Sequence, residues 1–395
     1  MLVIAAPGQG AQTPGFLSPW LELPGFAERL AAWSELAGCD LIRCGTTADA
    51  DEIRDTAVAQ PLLVAAAIAA AEALTGDPVP MKGLTAVVAG HSVGELAAGA
   101  IAGTISADDA MRLVRVRAQG MAAAAAAERT GMTAVLGGSE PEVLAAIEAA
   151  GLTPANVNGA GQIVAAGTLA QLAALAADPP PKTRLRSLSV AGAFHTSHMA
   201  PAVEALAAAA AQVPASDPGL PLLSNLDGAL VRSGQDWLGR IVAQVSSPVR
   251  WDSCMQAMAR LGVTALIELP PAGTLAGLAR RALSGVQLLA LKSPDDLEAA
   301  RTMLAEHADA QADFHAPEWR LLVAPLAGTF RATADPVTAG SAVPGGTELG
   351  QVEMRGDSHA VTPGFPATII EWLVEDGDPV SAGQPLVRLQ PDGQG

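Results

Sequence analysis

The stretch AVVAGHSVGELAAG (86–99) limits the possible folds more than any other part of the chain. A short run of small and β-branched apolar residues ends at Gly90. His91-Ser92-Val93-Gly94 then makes a tight turn, and a helix-forming run starts at Glu95. This is the G-x-S-x-G elbow, in which a sharp strand-to-helix turn lifts a serine hydroxyl clear of the backbone at the end of a sheet. The flanking positions call for glycine because side chains there would collide with strand or helix. Ser92 would sit at a helix N-terminus, where free N–H groups and the helix dipole favour developing negative charge.

An elbow needs a sheet, and the rest of the chain supplies one. Strand-like runs alternate with long helical patterns over the first 300 residues, which predicts an α/β fold with a mainly parallel sheet. LVIAAP (2–7) and TAVVAG (85–90) are strands, and Thr56 to Leu74 between them reads as a buried helix. Residues 125–192 differ in texture, with two helical runs (EPEVLAAIEAA, LAQLAALAA) set among three strand-like ones (MTAVLGG, QIVAAG, RLRSLSV). That β-α-β-α-β pattern has the size of a ferredoxin-like insert and divides the core into 1–124 and 193–308. ALIELPP (265–271) reads as a strand and a helix starts near Thr274. Ser293-Pro294-Asp295-Asp296 opens a last helix that fades near Ala308. A polar linker (309–319) follows, and 320–393 holds short apolar runs between Gly, Pro and Asp turns with no helical period, a small all-β domain.

The formal charge of −17 argues against nucleic-acid and anionic-membrane partners, both of which demand positive charge. MLVIAAPGQGAQ lacks a basic flank and breaks at Pro7-Gly8, so it reads as a first strand rather than a signal peptide. Cys39, Cys44 and Cys254 are odd in number and lack metal-ligand spacing, which suits small core fillers in a reducing cytosol.

A nucleophilic serine needs a base. His195, in VAGAFHTSHM, is the best placed, just past the insert and before a helix. His198 lies three residues on, so an i, i+3 metal pair is the rival reading, although no further ligand cluster accompanies it. His307 and His315 fall in the last helix and the linker and read as solvated. Arg117 carries an independent argument. On a helix from about 108 to 123, Ala110, Val114, Arg117 and Met121 share one face, so an arginine interrupts an apolar stripe while Arg112 and Arg115 point elsewhere. A buried guanidinium must be paired, either with a core carboxylate or with a substrate carboxylate held bidentately. GQGAQ (8–12), after the first strand, is placed as an oxyanion or phosphate loop but lacks the G-K-[ST] ending.

PGQGAQ, GHSVGE, the arginine some 25 residues after the serine, AFH and the strand-like QVSSPVRW (244–251) occur in one order. With them, residues 1–305 resemble malonyl-CoA:acyl carrier protein transacylases, closest in texture to the actinobacterial form (VAQPLLVAAAI, Ala- and Arg-rich). The resemblance implies an α/β-hydrolase-like acyltransferase core, malonyl-CoA and acyl carrier protein as partners, no cofactor and a cytoplasmic enzyme. It implies Ser92 as nucleophile, His195 as base, and the backbone carbonyl of Gln244 orienting that histidine in place of a carboxylate. It also implies an oxyanion hole from the N–H groups of Gln9 and Val93, Arg117 on the malonyl carboxylate, Asn156 in the pocket, and Phe194 selecting malonyl over bulkier units. Carrier proteins of this kind are acidic, so Lys182, Arg184, Arg186 and the Arg280-Arg281 pair are docking candidates. The elbow also serves lipases and esterases, but those place an acid between serine and histidine. A non-catalytic scaffold is the third reading, against which the intact serine, histidine and arginine speak.

The tail is similar to biotinyl and lipoyl carrier domains, through VAPLAGTF (323–330) and VEDGDPVSAGQPLVRL (374–389). Those domains hold their cofactor on a hairpin lysine. Here the matching stretch is VEMRGDSHAV, with Gly356 at that position and no lysine after Lys292. An amide to biotin or lipoate cannot form. The tail is then either a docking module for a carboxylase or synthase partner or a passive appendage.

Overall fold

The computed structural model describes residues 1–81, 84, 86–308, 320–333, 337–354 and 357–391. The expected linker, with His315, and Gly356 lie outside the described residues. The chain divides into two compact units, Met1–Gln311 and Ala312–Gly395.

In the first unit a six-stranded sheet runs in the order Gln287–Ala290, Ala265–Glu268, Leu2–Ala6, Ala86–Gly90, Leu222–Leu223, Leu230–Val231. The first five strands are parallel and the last is antiparallel to its neighbour. Leu2–Ala6 and Ala86–Gly90 are buried throughout, as expected for short apolar runs covered on both faces. They lie side by side with Ala6 opposite Gly90. Their carboxyl ends therefore deliver the Gly8–Gln12 loop and the serine elbow to one place, where ligands bind in such sheets.

Three helices support that edge. Thr56–Thr75 is capped by the Asp55 carboxylate, which accepts from the Ala57 N–H, and closes on Gly76 in the left-handed region. It is long and apolar enough to cross a membrane, yet it is largely buried inside the unit. Its alanines let Gly94–Ile101 and Ala107–Ala127 approach closely, so a core poor in aromatics still packs. Ala107–Ala127 starts at Ser106, whose hydroxyl accepts from the Asp109 N–H. Arg117 on it is buried, whereas Arg112 and Arg115 are exposed.

The insert contains one strand more than its sequence pattern suggests. Its elements are Thr130–Gly137, Glu140–Ala149, Thr153–Val157, Gln162–Thr168, Leu169–Ala177 and Thr183–Ser187. The unexpected strand is Thr153–Val157, where Pro154 and Asn156 hide the pattern. The strands order fourth, first, third, second, all antiparallel to their neighbours. Val249–Arg250 extends this sheet in parallel, pairing with Asn156 and Val157. It is the extended part of QVSSPVRW, whose first residue, Gln244, instead ends the helix Gly234–Gln244. Insert residues Val135, Val143, Ile147 and Ile163 pack in an apolar cluster of their own.

The second unit is all β. One antiparallel sheet orders Arg320–Val323, Pro385–Pro391, Ala367–Trp372, Ala342–Val343. The other orders Asp357–Val361, Gly350–Met354, Gly328–Ala332, Pro379–Val380. Leu322 and Trp372 contact both apolar clusters between the sheets, and the Trp372 indole N–H donates to the Val337 carbonyl at 2.8 Å.

Candidate active site

Ser92 has φ +54°, a left-handed conformation that non-glycine residues adopt at a cost. Two glycines permit it. A Cβ on Gly90 would come within 2.0 Å of the Gly94 carbonyl carbon, and one on Gly94 within 2.3 Å of the Ala6 oxygen. The turn closes only if both positions lack side chains.

His195 stands opposite, also left-handed at φ +61°. Its Nε2 lies 2.7 Å from Ser92 Oγ and its Nδ1 lies 2.9 Å from the Gln244 carbonyl oxygen. A carbonyl only accepts, so Nδ1 carries the proton and Nε2 presents a lone pair to the serine hydroxyl. Burial, helped by the Arg117 charge, pushes the imidazole pKa down to about 3. The ring is therefore a neutral acceptor at physiological pH.

Arg117 reaches the same hydroxyl: Nη2 donates to Ser92 Oγ at 3.2 Å and Nη1 to Gln60 Oε1 at 2.5 Å. Burial lowers its pKa to about 10, so it stays charged at neutral pH. Its side-chain partners are an amide and a hydroxyl, and among the described residues it enters no ion pair. Of the two partners drawn from the sequence, the core carboxylate is not found among the described residues: the buried partner is Gln60, and the charge is left facing the serine. Gln60 is fixed in turn, its Nε2 donating to Met121 Sδ at 3.5 Å.

Ser92, His195 and Gln60 border a cavity of about 620 Å³, with Arg117 and Gln244 bonded to them from behind. Gln9, Val93, Asn156, Phe194 and Arg186 line it, so the structure gathers all the sequence-derived site residues at or beside one cavity. The backbone N–H groups of Gln9 and Val93 donate to no acceptor among the described residues. A larger groove, about 740 Å³, lies elsewhere, bordered by Leu74–Met81 and the last helix. Its Arg301 is committed to the Ala73 and Leu74 carbonyls.

Other groups were not legible as functional. Asn225 holds the Ser92 N–H, and the buried Glu95 holds Asn225. His91 bonds Asn158 of the insert at 2.9 Å and meets Trp251 edge-on at 5.6 Å. The rival metal reading for His198 has a simpler partner, since its Nδ1 bonds Glu128 at 2.7 Å. Among the described residues no three potential ligands gather as a metal site would require. His307 is half-buried rather than solvated and bonds Thr264. Cys44 and Cys254 are buried and Cys39 partly so, and burial pushes the Cys39 thiol up to about 12. Lys182, Arg184, Arg186, Arg280 and Arg281 are exposed.

A neutral imidazole on a serine hydroxyl, with a fixed cation beside it, can form and break an ester of a carboxylated acyl group, which is serine acyltransferase chemistry. Consistently, the acyl transferase domain family matches residues 6–314. Within that class the chain belongs to the malonyl CoA-acyl carrier protein transacylase family. It is 56% identical to the Mycobacterium tuberculosis transacylase of that name over 298 residues, covering 75% of this chain and 98% of the relative. The crystal structure of MCAT from Mycobacterium tuberculosis superposes with TM-score 0.72 at 54% identity, over 76% of this chain and 99% of that one. A malonyl-transacylase in complex with its type II PKS acyl-carrier protein gives TM-score 0.70 at 27% identity, over 76% and 99%.

Proposed function

We propose that the chain transfers malonyl from malonyl-CoA to the phosphopantetheine thiol of acyl carrier protein, through a malonyl ester on Ser92, in the supply of fatty-acid synthesis. The observation that carries this reading is Arg117, a buried cation touching Ser92 Oγ and, among the described residues, in no ion pair with a carboxylate. His195 takes the Ser92 proton as Oγ bonds the thioester carbonyl carbon. The N–H groups of Gln9 and Val93 hold the oxyanion, the C–S bond breaks, and the proton passes to the departing sulfur. The carrier thiol then gives its proton to His195 and attacks the ester, and Ser92 regains a proton as its C–O bond breaks. The Gln244 carbonyl keeps His195 in the accepting tautomer through both halves. Arg117 anchors the malonyl carboxylate, Asn156 walls the pocket, and Phe194 limits the acyl group to the size of malonyl. Arg184 and Arg186, on the exposed insert strand, with Lys182, Arg280 and Arg281, offer positive charge to an acidic carrier protein.

The insert's β-α-β-β-α-β order and its 4-1-3-2 sheet support a ferredoxin-like reading. The paired antiparallel sheets of 320–391 support a biotinyl/lipoyl-like one, with a carboxylase or synthase as partner. That module does not suit biotin or lipoate: the hairpin Gly350–Met354/Asp357–Val361 carries no lysine on which an amide could form.

Radiolabelled malonyl-CoA, with and without holo acyl carrier protein, tests the proposal. A stable labelled chain that passes its label to carrier protein is expected. Release of free malonate would mean a hydrolase, and absence of label a scaffold.

A further inference from the structure

The reaction described above needs the Val93 N–H to face the cavity while Ser92 stays in a strained conformation; the elbow's own bond, from the Gly94 N–H to the His91 carbonyl at 3.0 Å, closes the turn but leaves the Ser92 N–H to a partner outside it. Asn225 stands directly behind the turn, fully buried, on the irregular segment between Leu222–Leu223 and Leu230–Val231. Its Oδ1 accepts from the Ser92 N–H at 2.7 Å, and its Nδ2 donates to the Gly90 carbonyl at 2.8 Å. One planar carboxamide thus grips the chain on both sides of His91. Its own backbone is held as tightly: the Asn225 N–H donates to Glu95 Oε1 at 2.8 Å, and its carbonyl accepts from the Arg250 N–H at 2.8 Å. A side chain with donor and acceptor both committed in a buried site has a fixed orientation.

We propose that Asn225 is a positioning residue for acyl transfer: it pins the peptide entering Ser92, so that the Ser92 N–H is turned away from the reacting carbonyl and the Val93 N–H is turned toward it. The choice of oxyanion donor then depends on a residue 133 positions away in sequence that does not line the cavity. Asparagine is the residue type required. Aspartate keeps the acceptor for Ser92 but sets a carboxylate oxygen against the Gly90 carbonyl. Leucine of similar size offers neither bond.

The inference rests on Ser92 being the nucleophile, and the experiment separates the two. Asn225→Asp, Asn225→Ala and Ser92→Ala are compared with the parent chain by thermal melting, by labelling with a fluorophosphonate probe, and by pre-steady-state malonyl loading and unloading. Labelling of the parent and not of Ser92→Ala supports the nucleophile. Labelling of both, or of neither, overturns it without touching Asn225. For folded Asn225→Asp, we expect kcat to fall at least tenfold with KM for malonyl-CoA within twofold, because Arg117 and Gln60 are untouched. Loading and unloading should slow by similar factors, since both pass through the same oxyanion. A merely structural role lowers the melting temperature and the folded fraction while leaving kcat per labelled serine unchanged, and that outcome refutes the proposal. Should Asn225→Ala lose its folded baseline, the near-isosteric Asn225→Asp decides the question by the same kcat-against-KM split.

Discussion

Replacing Arg117 by alanine removes the positive charge that the site holds against Ser92. The guanidinium has five N–H donors, of which one is given to Gln60 and one to Ser92 Oγ, leaving three for an incoming carboxylate. A malonyl ester on Oγ carries its carboxylate two carbons beyond the ester carbonyl, within reach of a cation already 3.2 Å from that oxygen. Truncating one partner of a buried, hydrogen-bonded charge pair costs about 2–5 kcal/mol, roughly 30- to 4,000-fold in rate. The loss should fall on malonyl-CoA, because acetyl-CoA brings no charge to be stranded. The ratio of kcat/KM for malonyl-CoA to that for acetyl-CoA, measured for both chains, is the assay. A second readout comes from His195, whose pKa Arg117 helps to hold down at about 3. The acidic limb of the pH-rate profile should move upward in the variant, by less than a full return to the ordinary histidine value, since burial is the larger cause. Equal losses for malonyl and acetyl transfer would refute the assignment of Arg117 to the carboxylate.

Gln244→Ala should keep kcat within about threefold, because the histidine is held by a backbone carbonyl that every residue type provides; a hundredfold loss would mean the side chain matters. Gly94→Ala should abolish acyl-enzyme formation, as its methyl would meet the Ala6 oxygen at 2.3 Å; full labelling of Ser92 in that variant would contradict the packing argument. Glu95→Gln should leave activity near that of the parent, since burial raises the Glu95 pKa to about 8 and the Asn225 N–H needs only an acceptor. The sign of its pH dependence follows from that raised value. Protonation of folded Glu95 adds stability that is complete below about pH 4.5 and lost as pH rises to about 8, at up to about 1.4 kcal/mol per pH unit. Urea unfolding midpoints measured at pH 5 and pH 8 should therefore converge for Glu95→Gln and diverge for the parent.

The elbow was legible because its requirements are local: two glycines around a serine, a β run before and a helix after, all within fourteen residues. Arg117 was legible because helical period alone sets it on an apolar face. What escaped reading is long-range or irregular. Asn225 sits in a short loop between strands of two residues each, which leave no periodicity to detect. Thr153–Val157 was overlooked because proline and asparagine break its alternation, although it carries Asn156 to the cavity. Gln60 carries no local signal within its largely apolar helix run. Its meaning depended on a partner 57 residues away. Sheet order and the union of Val249–Arg250 with the insert are likewise matters of tertiary pairing rather than local preference.

That union has a practical consequence. Within eight residues, the Gln244 carbonyl holds His195, the Arg250 N–H holds Asn225, Val249–Arg250 continues the insert sheet, and Trp251 meets His91. Exchanging the insert for that of a relative with another acyl preference would break an inter-strand seam and shift the residues that steady both members of the dyad. A chimera that also carries residues 244–251 keeps donor and seam matched. The insert and 244–251 are therefore one unit for grafting, and a graft of the insert alone should misalign the chemistry even with Arg117 and Phe194, which lie outside both segments, left in place.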